Sequence, residues 1–427
     1  MQKLGMLVVV CGGCALRGCS SRAMWARGHA ILVGGIVEMG GTGVGRGARE
    51  AGVRELGGSP GADGGRGFGQ AAPGEAGAGH QRNGLQLCPA HVGDAHAHAW
   101  RRPEHDGVGE VQGPKPEPGA AGDTIHNPAL VNLTLPDAFK AAVASMARAG
   151  MYVIADNHVS QGQWCCSANN DVEGFWGEPG FAVQEWLDGL RAMALHVPNL
   201  VGISLRNELR GPTQNPSDWH RFMSMGASVV STANPHLLIF VAGLNNDTDL
   251  HFLSSSSKGQ HLSINVSNAQ QKLVYEMHWY ASSYGVNFAQ GNLNQVCAIA
   301  TSTITASGAF MALPNTSSSS FVAPLFISEF GIDQRGGNKA SNRYINCLFA
   351  FMASLDLDWA YWALQGSYYR RYGNEGDEEY MGILNAQWNA PRNMTFLAKL
   401  QAMQQPWKGM YQYLNLSIRL YYSTYLR

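Results

Sequence analysis

Two glutamates stand where apolar runs stop. Val201–Leu205 leads into Arg206-Asn207-Glu208, and about 120 residues later Pro324–Ile327 leads into Ser328-Glu329-Phe330-Gly331. A carboxylate at the end of a buried strand is costly unless it has a partner or a task. Two such groups meeting over one sugar are the minimum equipment for cleaving a glycosidic bond: one protonates the departing oxygen and the other attacks the anomeric carbon. A separation of about 5–5.5 Å implies retention, and about 6.5–9.5 Å leaves room for water and inversion. Asn207 is suited to donate a hydrogen bond to a sugar 2-OH, a contact that strengthens in the transition state. The competing reading is structural, each Glu forming an ion pair with an arginine such as Arg206 or Arg210.

Three more apolar runs end in polar or aromatic groups: Asp156-Asn157-His158, His278-Trp279-Tyr280, and Trp362 within Tyr361-Trp362-Ala363. His and Tyr beside a nucleophile orient it and hold it ionised, and Trp offers a stacking face to a sugar. Trp164, Trp176 and Trp279 are further candidate platforms. Asp156, His158 and His278 could instead ligate a metal. No close-spaced His pair accompanies them, so neither a metal nor an organic cofactor is expected.

The elements that must position these groups are apolar segments at Tyr152–Ala155, Val201–Leu205, Leu237–Val241, Leu273–Met277, Pro324–Ile327 and Trp359–Ala363. Between them lie stretches with helical spacing at Leu135–Ala149, Val183–Leu195 and Asn342–Leu355, the first opening on a Pro-Asp pair suited to a first turn. Strands alternating with helices predict a parallel sheet. Candidate catalytic groups gathered at strand carboxyl ends favour a (β/α)₈ TIM barrel, which keeps its chemistry there, over a doubly wound open sheet.

The chain has 427 residues and a formal net charge of -1, which gives no electrostatic case for nucleic acid or an anionic membrane surface. No apolar run is long enough to span a membrane. A neutral polysaccharide or oligosaccharide and a monomeric protein are the expectations. The opening MQKLGMLVVVCGGCALRG is a poor signal peptide, because Gly and Cys interrupt its apolar stretch. Six Asn-X-Ser/Thr sequons, at Asn132, Asn246, Asn265, Asn315, Asn393 and Asn415, nevertheless favour an extracellular glycoprotein. Cys165, Cys166, Cys297 and Cys347 form an even set, for which two disulfides are expected rather than a zinc site. A bond between adjacent cysteines would be strained, so pairing of Cys165 and Cys166 with Cys297 and Cys347 is preferred.

The stretches MYVIADNHVS, WCCS, NLVGISLRNELRGP, VYEMHWY, FISEFG and LDWAYWALQGSYY resemble glycoside hydrolase family 5, the cellulase family, and most closely its plant members, from about Ile125 to Gln404. The resemblance implies a retaining endo-β-glycanase acting on glucan or mannan, with Glu208 as acid/base and Glu329 as nucleophile. It implies supporting roles for Asn207, His158, His278, Tyr280 and Trp362.

The family's second strand also ends in an Arg that binds near the nucleophile, and no matching motif stands here, so strands one and two are not recognisable and the barrel is incomplete. Residues 1–122 hold 30 of the 52 Gly without a collagen-like period. Reading Asn83–Asp94 one base out of frame permits Met-Gly-Phe-Asn-Cys-Val-Arg-Leu-Thr-Trp-Ala-Thr, which resembles the missing strand with its Arg. The expected organisation is therefore an out-of-frame or disordered Gly-rich segment over 1–122, the hydrolase barrel over 123–407, and an unassigned tail over 408–427. A catalytically impaired carbohydrate-binding remnant is the alternative.

Overall fold

The structure is a computed structural model that describes residues 5–12, 30–33 and, with short interruptions, 133–403. Its centre is an eight-stranded sheet in the order β2-β1-β3-β4-β5-β6-β7-β8. The first two strands are β1 (Gly5–Gly12) and β2 (Ala30–Val33). Helix α1 (Leu135–Arg148) leads into β3 (Met151–Val159). Then follow α2 (Val183–His196), β4 (Leu200–Ser204), α3 (Pro216–Ala233) and β5 (Leu238–Ala242). The chain continues through β6 (Leu273–His278), α4 (Leu293–Ser307), β7 (Leu325–Glu329), α5 (Lys339–Leu355), β8 (Asp358–Trp359) and α6 (Met394–Met403).

Strands β3 to β8 are parallel and curl into a half-barrel, an incomplete form of the (β/α)₈ architecture. The segment before 122 does contribute two strands, for which the sequence pattern offered no place. They run antiparallel, β1 pairing with both β2 and β3, so they are not βα units and do not replace the missing first and second barrel strands. Covering the β3 edge satisfies a row of main-chain groups that would otherwise be open. The out-of-frame reading of Asn83–Asp94 and the tail over 408–427 lie outside the described residues.

Alternation along the strands sorts side chains between two cores. Ile239, Val241, Met277, Leu325 and Ile327 face the helices and join the large cluster with Trp186, Trp219, Leu190, Met223 and Tyr344. Leu238, Phe240, Val274, Phe326 and Ile154 face the other way and fill the barrel interior. Gly202 belongs to this inner row: a Cβ there would come within 2.6 Å of the Phe240 ring, so only glycine lets that ring pack. The helices start where side chains can cap them. Asn215 accepts from the Asp218 main-chain N–H with Pro216 in the first turn of α3, and Asn292 and Asn338 do the same for α4 and α5.

Cys297 and Cys347 are disulfide-bonded to each other, tying α4 to α5, and Cys165 is bonded to its neighbour Cys166. The expected cross-pairing is thereby corrected. Cys297 and Cys347 sit on adjacent packed helices, a tertiary proximity that cysteine count and spacing do not encode.

Candidate active site

The site lies at the carboxyl ends of the parallel strands. On β6, Val274, Glu276 and His278 point into the barrel by simple alternation. Glu329 on β7 has the parity of Leu325 and Ile327 and would point outward, but the register slips. Met277 pairs with Ile327, whereas the next residue, His278, pairs with Glu329. Ser328 is the extra residue, and this bulge brings Glu329 beside His278 on the inner face. Glu208 reaches the same space from the segment after β4 with its backbone at φ 43°, a left-handed conformation that L-residues adopt at a cost of about 1–3 kcal/mol.

The two glutamates and His278 bring one ligand-type atom each within 4.8 Å of one another. His278 Nδ1 is 3.0 Å from Glu208 Oε1 and 3.5 Å from Glu329 Oε2, while Nε2 is 3.4 Å from Asp247 Oδ2. Burial works against a charged imidazole here, but the charges of Glu329, Asp247 and Glu208 outweigh it and hold the His278 pKa well above the usual histidine range. His278 is therefore held as a cation among three carboxyl groups.

Burial raises the proton affinity of Glu208, but the His278 hydrogen bond and the charges of His278, His158 and Arg210 bring it below the usual carboxylate value. For Glu329, burial and the neighbouring Glu208 prevail over His278, His158 and the Tyr280 hydrogen bond, and the pKa is raised. The pair titrates as a unit, and in this chain the shared proton favours Glu329. Tyr280 Oη donates to Glu329 Oε2 at 2.8 Å. Burial, with Glu329 and Glu208 adding to it, keeps that hydroxyl protonated and donating. Glu329 Oε1 is buried and, among the described residues, has no hydrogen-bond partner.

His158 Nδ1 pairs with Asp156 Oδ2 at 2.9 Å, and its ring stacks on Trp362 with centroids 5.5 Å apart. Asn207 is buried, its main-chain N–H donating to the Asn157 carbonyl at 2.9 Å and its Nδ2 to Cys165 Sγ at 3.6 Å. The structural alternative for the arginines resolves differently from the two readings weighed in the sequence. Arg206 binds the Glu173 main-chain carbonyl, lies 3.8 Å from its carboxylate and stacks over Phe181, whereas Arg210 donates to the main-chain carbonyl of Glu208 at 2.8 Å.

Two of the expected sugar platforms are corrected. Trp176 is buried among Phe175, Phe181, Trp186 and Phe222, and Trp279 among Tyr284, Tyr344 and Phe351, so both rings belong to the core. Trp164 lies outside the described residues. Cys165, Cys166 and Glu208 form a second group with ligand-type atoms within 4.8 Å, but its sulfurs are already bonded to each other.

Asn246, noted in the sequence only as a sequon, and Asp247 also belong to the site. They follow β5, whose carboxyl end obeys the same positional rule as the others, and that rule would have found them. Asn245, Asn246 and Asp247 all have positive φ (54°, 56° and 59°), which Asn and Asp tolerate better than most residues. This turn aims Asn246 Nδ2 at Glu208 Oε2, 3.4 Å away, and buries Asp247 behind His278.

A family profile described as Cellulase (glycosyl hydrolase family 5) matches residues 119–367. A "Glycosyl hydrolase 5 family protein" from Chamaecyparis obtusa is 41% identical over 298 residues, covering 68% of this chain and 51% of the relative. The chain thus spans about half the length of that relative. Among solved structures, a hyperthermophilic endocellulase from the archaeon Pyrococcus horikoshii superposes with a TM-score of 0.53 at 19% identity, covering 69% of this chain and 79% of the other. The catalytic domain of the major endoglucanase of Xanthomonas campestris pv. campestris gives 0.51 at 22% identity, covering 66% and 79%. At these identities the two structures speak for the fold.

Proposed function

From the premise that this chain belongs to glycosyl hydrolase family 5, we propose that its site is built to hydrolyse β-linked glucan or mannan by double displacement with retention. The observation that carries the reading is the closeness of two carboxylates, Glu208 half-buried and Glu329 buried, within 4.8 Å through their nearest oxygens, at the carboxyl edge of the sheet. That spacing suits direct attack by one of them and is too tight for an intervening water.

In the first step Glu329 attacks the anomeric carbon, the glycosidic C–O bond breaks, and the departing oxygen takes the proton of Glu208. In the second, Glu208 removes a proton from water as the water oxygen attacks the anomeric carbon and expels Glu329. Two inversions leave the product with the starting configuration. Tyr280 supports Glu329 throughout by its 2.8 Å hydrogen bond, and the His278 cation compensates whichever glutamate is ionised. In this reading Asn207 and the stacked His158 and Trp362 bind the sugar. Secretion is part of this proposal, supported by the disulfide between Cys297 and Cys347.

The test is turnover of a panel of aryl β-glycosides, β-glucans and mannans, with the first-formed anomer read by proton NMR. Hydrolysis that yields the β anomer first and is abolished in Glu329→Gln supports the proposal. An α anomer formed first would sink retention, and full activity in Glu329→Gln would sink the nucleophile assignment. A second reading, a binding protein impaired in turnover, is favoured by one relationship: burial and the nearby Glu208 raise the pKa of Glu329, the group that must be ionised to attack. Retention on insoluble glucan without hydrolysis of any substrate in the panel would select it.

A further inference from the structure

The segment after β3 carries two adjacent cysteines joined by a disulfide, and this pair borders the site. Cys166 Sγ lies 2.9 Å from Glu208 Oε2, and Cys165 Sγ accepts from Asn207 Nδ2 at 3.6 Å. Cys165 is buried and Cys166 half-buried, so these contacts are sheltered. A disulfide sulfur has no proton, and an ionised carboxylate has none either. Two acceptors at 2.9 Å are matched only when Glu208 carries a proton and directs its O–H at the sulfur. A pair of thiols in the same place would do the opposite, since an S–H donating to the carboxylate favours its ionised form.

We propose that the Cys165–Cys166 disulfide is a positioning element of the active site, favouring the proton-donating form of Glu208 against the cations around it and fixing Asn207 beside it, so that acid-assisted cleavage depends on the pair being oxidised. This rests on the reading of Glu208 as the general acid. The other groups facing Glu208 are His278 from β6, Glu329 from β7, His158 from β3, Arg210 from its own segment, and Asn246 and Asp247 after β5. The cations favour ionised Glu208 and the carboxylates oppose it. The cations prevail and hold Glu208 below the usual carboxylate value, and the sulfur contact works against them. Reduction by a dithiol such as dithiothreitol breaks the S–S bond, places two electrons and two protons on the sulfurs, and releases the reductant as its cyclic disulfide.

The experiment compares two substrates with the same sugar, taken from those the protein turns over: a phenyl glycoside, whose leaving group needs a proton, and a 2,4-dinitrophenyl glycoside, whose leaving group does not. Full-length Cys165→Ser/Cys166→Ser protein is measured beside wild type. Because that variant can fail to fold, dithiothreitol-reduced and oxidised protein are also compared in a Cys297→Ala/Cys347→Ala background, with alkylation mapping to report the state of the remaining pair. Loss of the disulfide is expected to lower kcat/KM on the phenyl glycoside about 10-fold, part of what a general acid supplies, to leave the dinitrophenyl glycoside within about 2-fold, and to move the alkaline limb of the pH profile downward. Equal loss on both substrates, or no loss on either, overturns the proposal. Glu208→Gln on the same substrates separates the premise: if it too fails to discriminate by leaving group, Glu208 is not the acid and the assignment falls with the sulfur proposal.

Discussion

Asp247 Oδ2 stands 3.4 Å from Nε2 of His278, on the edge of the ring turned away from the two glutamates. Burial, with Glu276 and Glu208 adding to it, raises the Asp247 pKa well above the usual carboxylate value, against the pull of His278 and of the Gly243 main-chain N–H that its Oδ1 accepts. Its negative charge is one of the reasons that the His278 pKa is raised. Asp247→Asn should therefore lower the pKa of His278, so that the imidazolium loses its proton at a lower pH. We expect kcat/KM to fall about 10-fold near neutral pH, with the alkaline limb of the profile moved to lower pH, as for other second-layer partners of an essential histidine. An unchanged limb with reduced activity would mean that Asp247 serves only to pack the turn after β5.

Glu276 lies inside the barrel below His278, where burial and the nearby Asp156 push its pKa up to about 7 against the opposing effects of Ser204 and His278. Ser204 Oγ donates to its Oε1 at 2.5 Å. In the unfolded chain the group titrates near 4.5. Below that value both states hold the proton and there is no effect. Between about 4.5 and 7 the folded state keeps a proton that the unfolded state has lost, so stability declines as pH rises through this window. Glu276→Gln, which retains an acceptor for Ser204, should remove this decline and stabilise the protein at pH 8 by on the order of a few kcal/mol. Denaturant unfolding at pH 4 and pH 8 measures it; an equal effect at both pH values would exclude a titration origin.

Much of the barrel could be read from residues because parallel strands buried on both faces appear as short apolar runs, and five of six ended in groups capable of chemistry. The end of β8 was read too long, since Ala360–Ala363 leaves the ladder while remaining buried. Helix α3 was missed because Gly226 and the Val229-Val230 pair dilute its helical signal, although Asn215-Pro216 marked its start. Which tryptophans border the site and which fill the outer core was not legible. Trp176, Trp279 and Trp362 have the same composition-level signal, and only the direction of each side chain separates them. The bulge at Ser328 was equally invisible, because nothing in Phe326-Ile327-Ser328-Glu329 shows that one residue drops out of register.

The sequon at Asn246 places the side-chain nitrogen 3.4 Å from Glu208 Oε2, beside the proposed acid/base. A glycan there would occupy the space of the substrate. Asn393, another sequon, uses its Oδ1 to accept from the Phe396 main-chain N–H at the start of α6. In protein produced through a secretory pathway, we expect peptide mapping to find Asn246 unmodified in every active fraction. A glycan at Asn246 in protein that retains full activity would remove Glu208 from the cleavage point.

The disulfide between Cys297 and Cys347 closes a segment with a sequence separation of 50 and links two helices on the outside of the barrel, away from the glutamates. Replacing both residues by Ala should destabilise the protein by about 2–4 kcal/mol through the freedom regained by the unfolded chain. Activity at a temperature well below the melting transition should be unchanged. A large loss of activity there would indicate that α4 and α5 help to shape the site.

Glu329 Oε1 is buried with no hydrogen-bond partner among the described residues, and burial and Glu208 raise the pKa of this side chain. Attack on the anomeric carbon needs this carboxylate ionised. With the pKa raised, the acidic limb of kcat/KM for the chain as it stands should lie above the ordinary carboxylate range, and turnover should be weak at pH 5. Restoring the alternative frame across residues 83–94 would supply an arginine at the end of a second barrel strand, where the family places one near the nucleophile. A fixed cation there favours the ionised form and lowers the pKa. The added parallel strand would also extend the barrel on the side where β1 and β2 now run antiparallel. The expected result is a frame-restored protein that is more active by about 10-fold or more at pH 5, with its acidic limb shifted down by a unit or more. Glu329→Gln in both backgrounds sets the floor. Equal activities and superimposable pH profiles would show that residues 1–122 are dispensable and that the charge state of Glu329 is governed by His278 and Tyr280 alone.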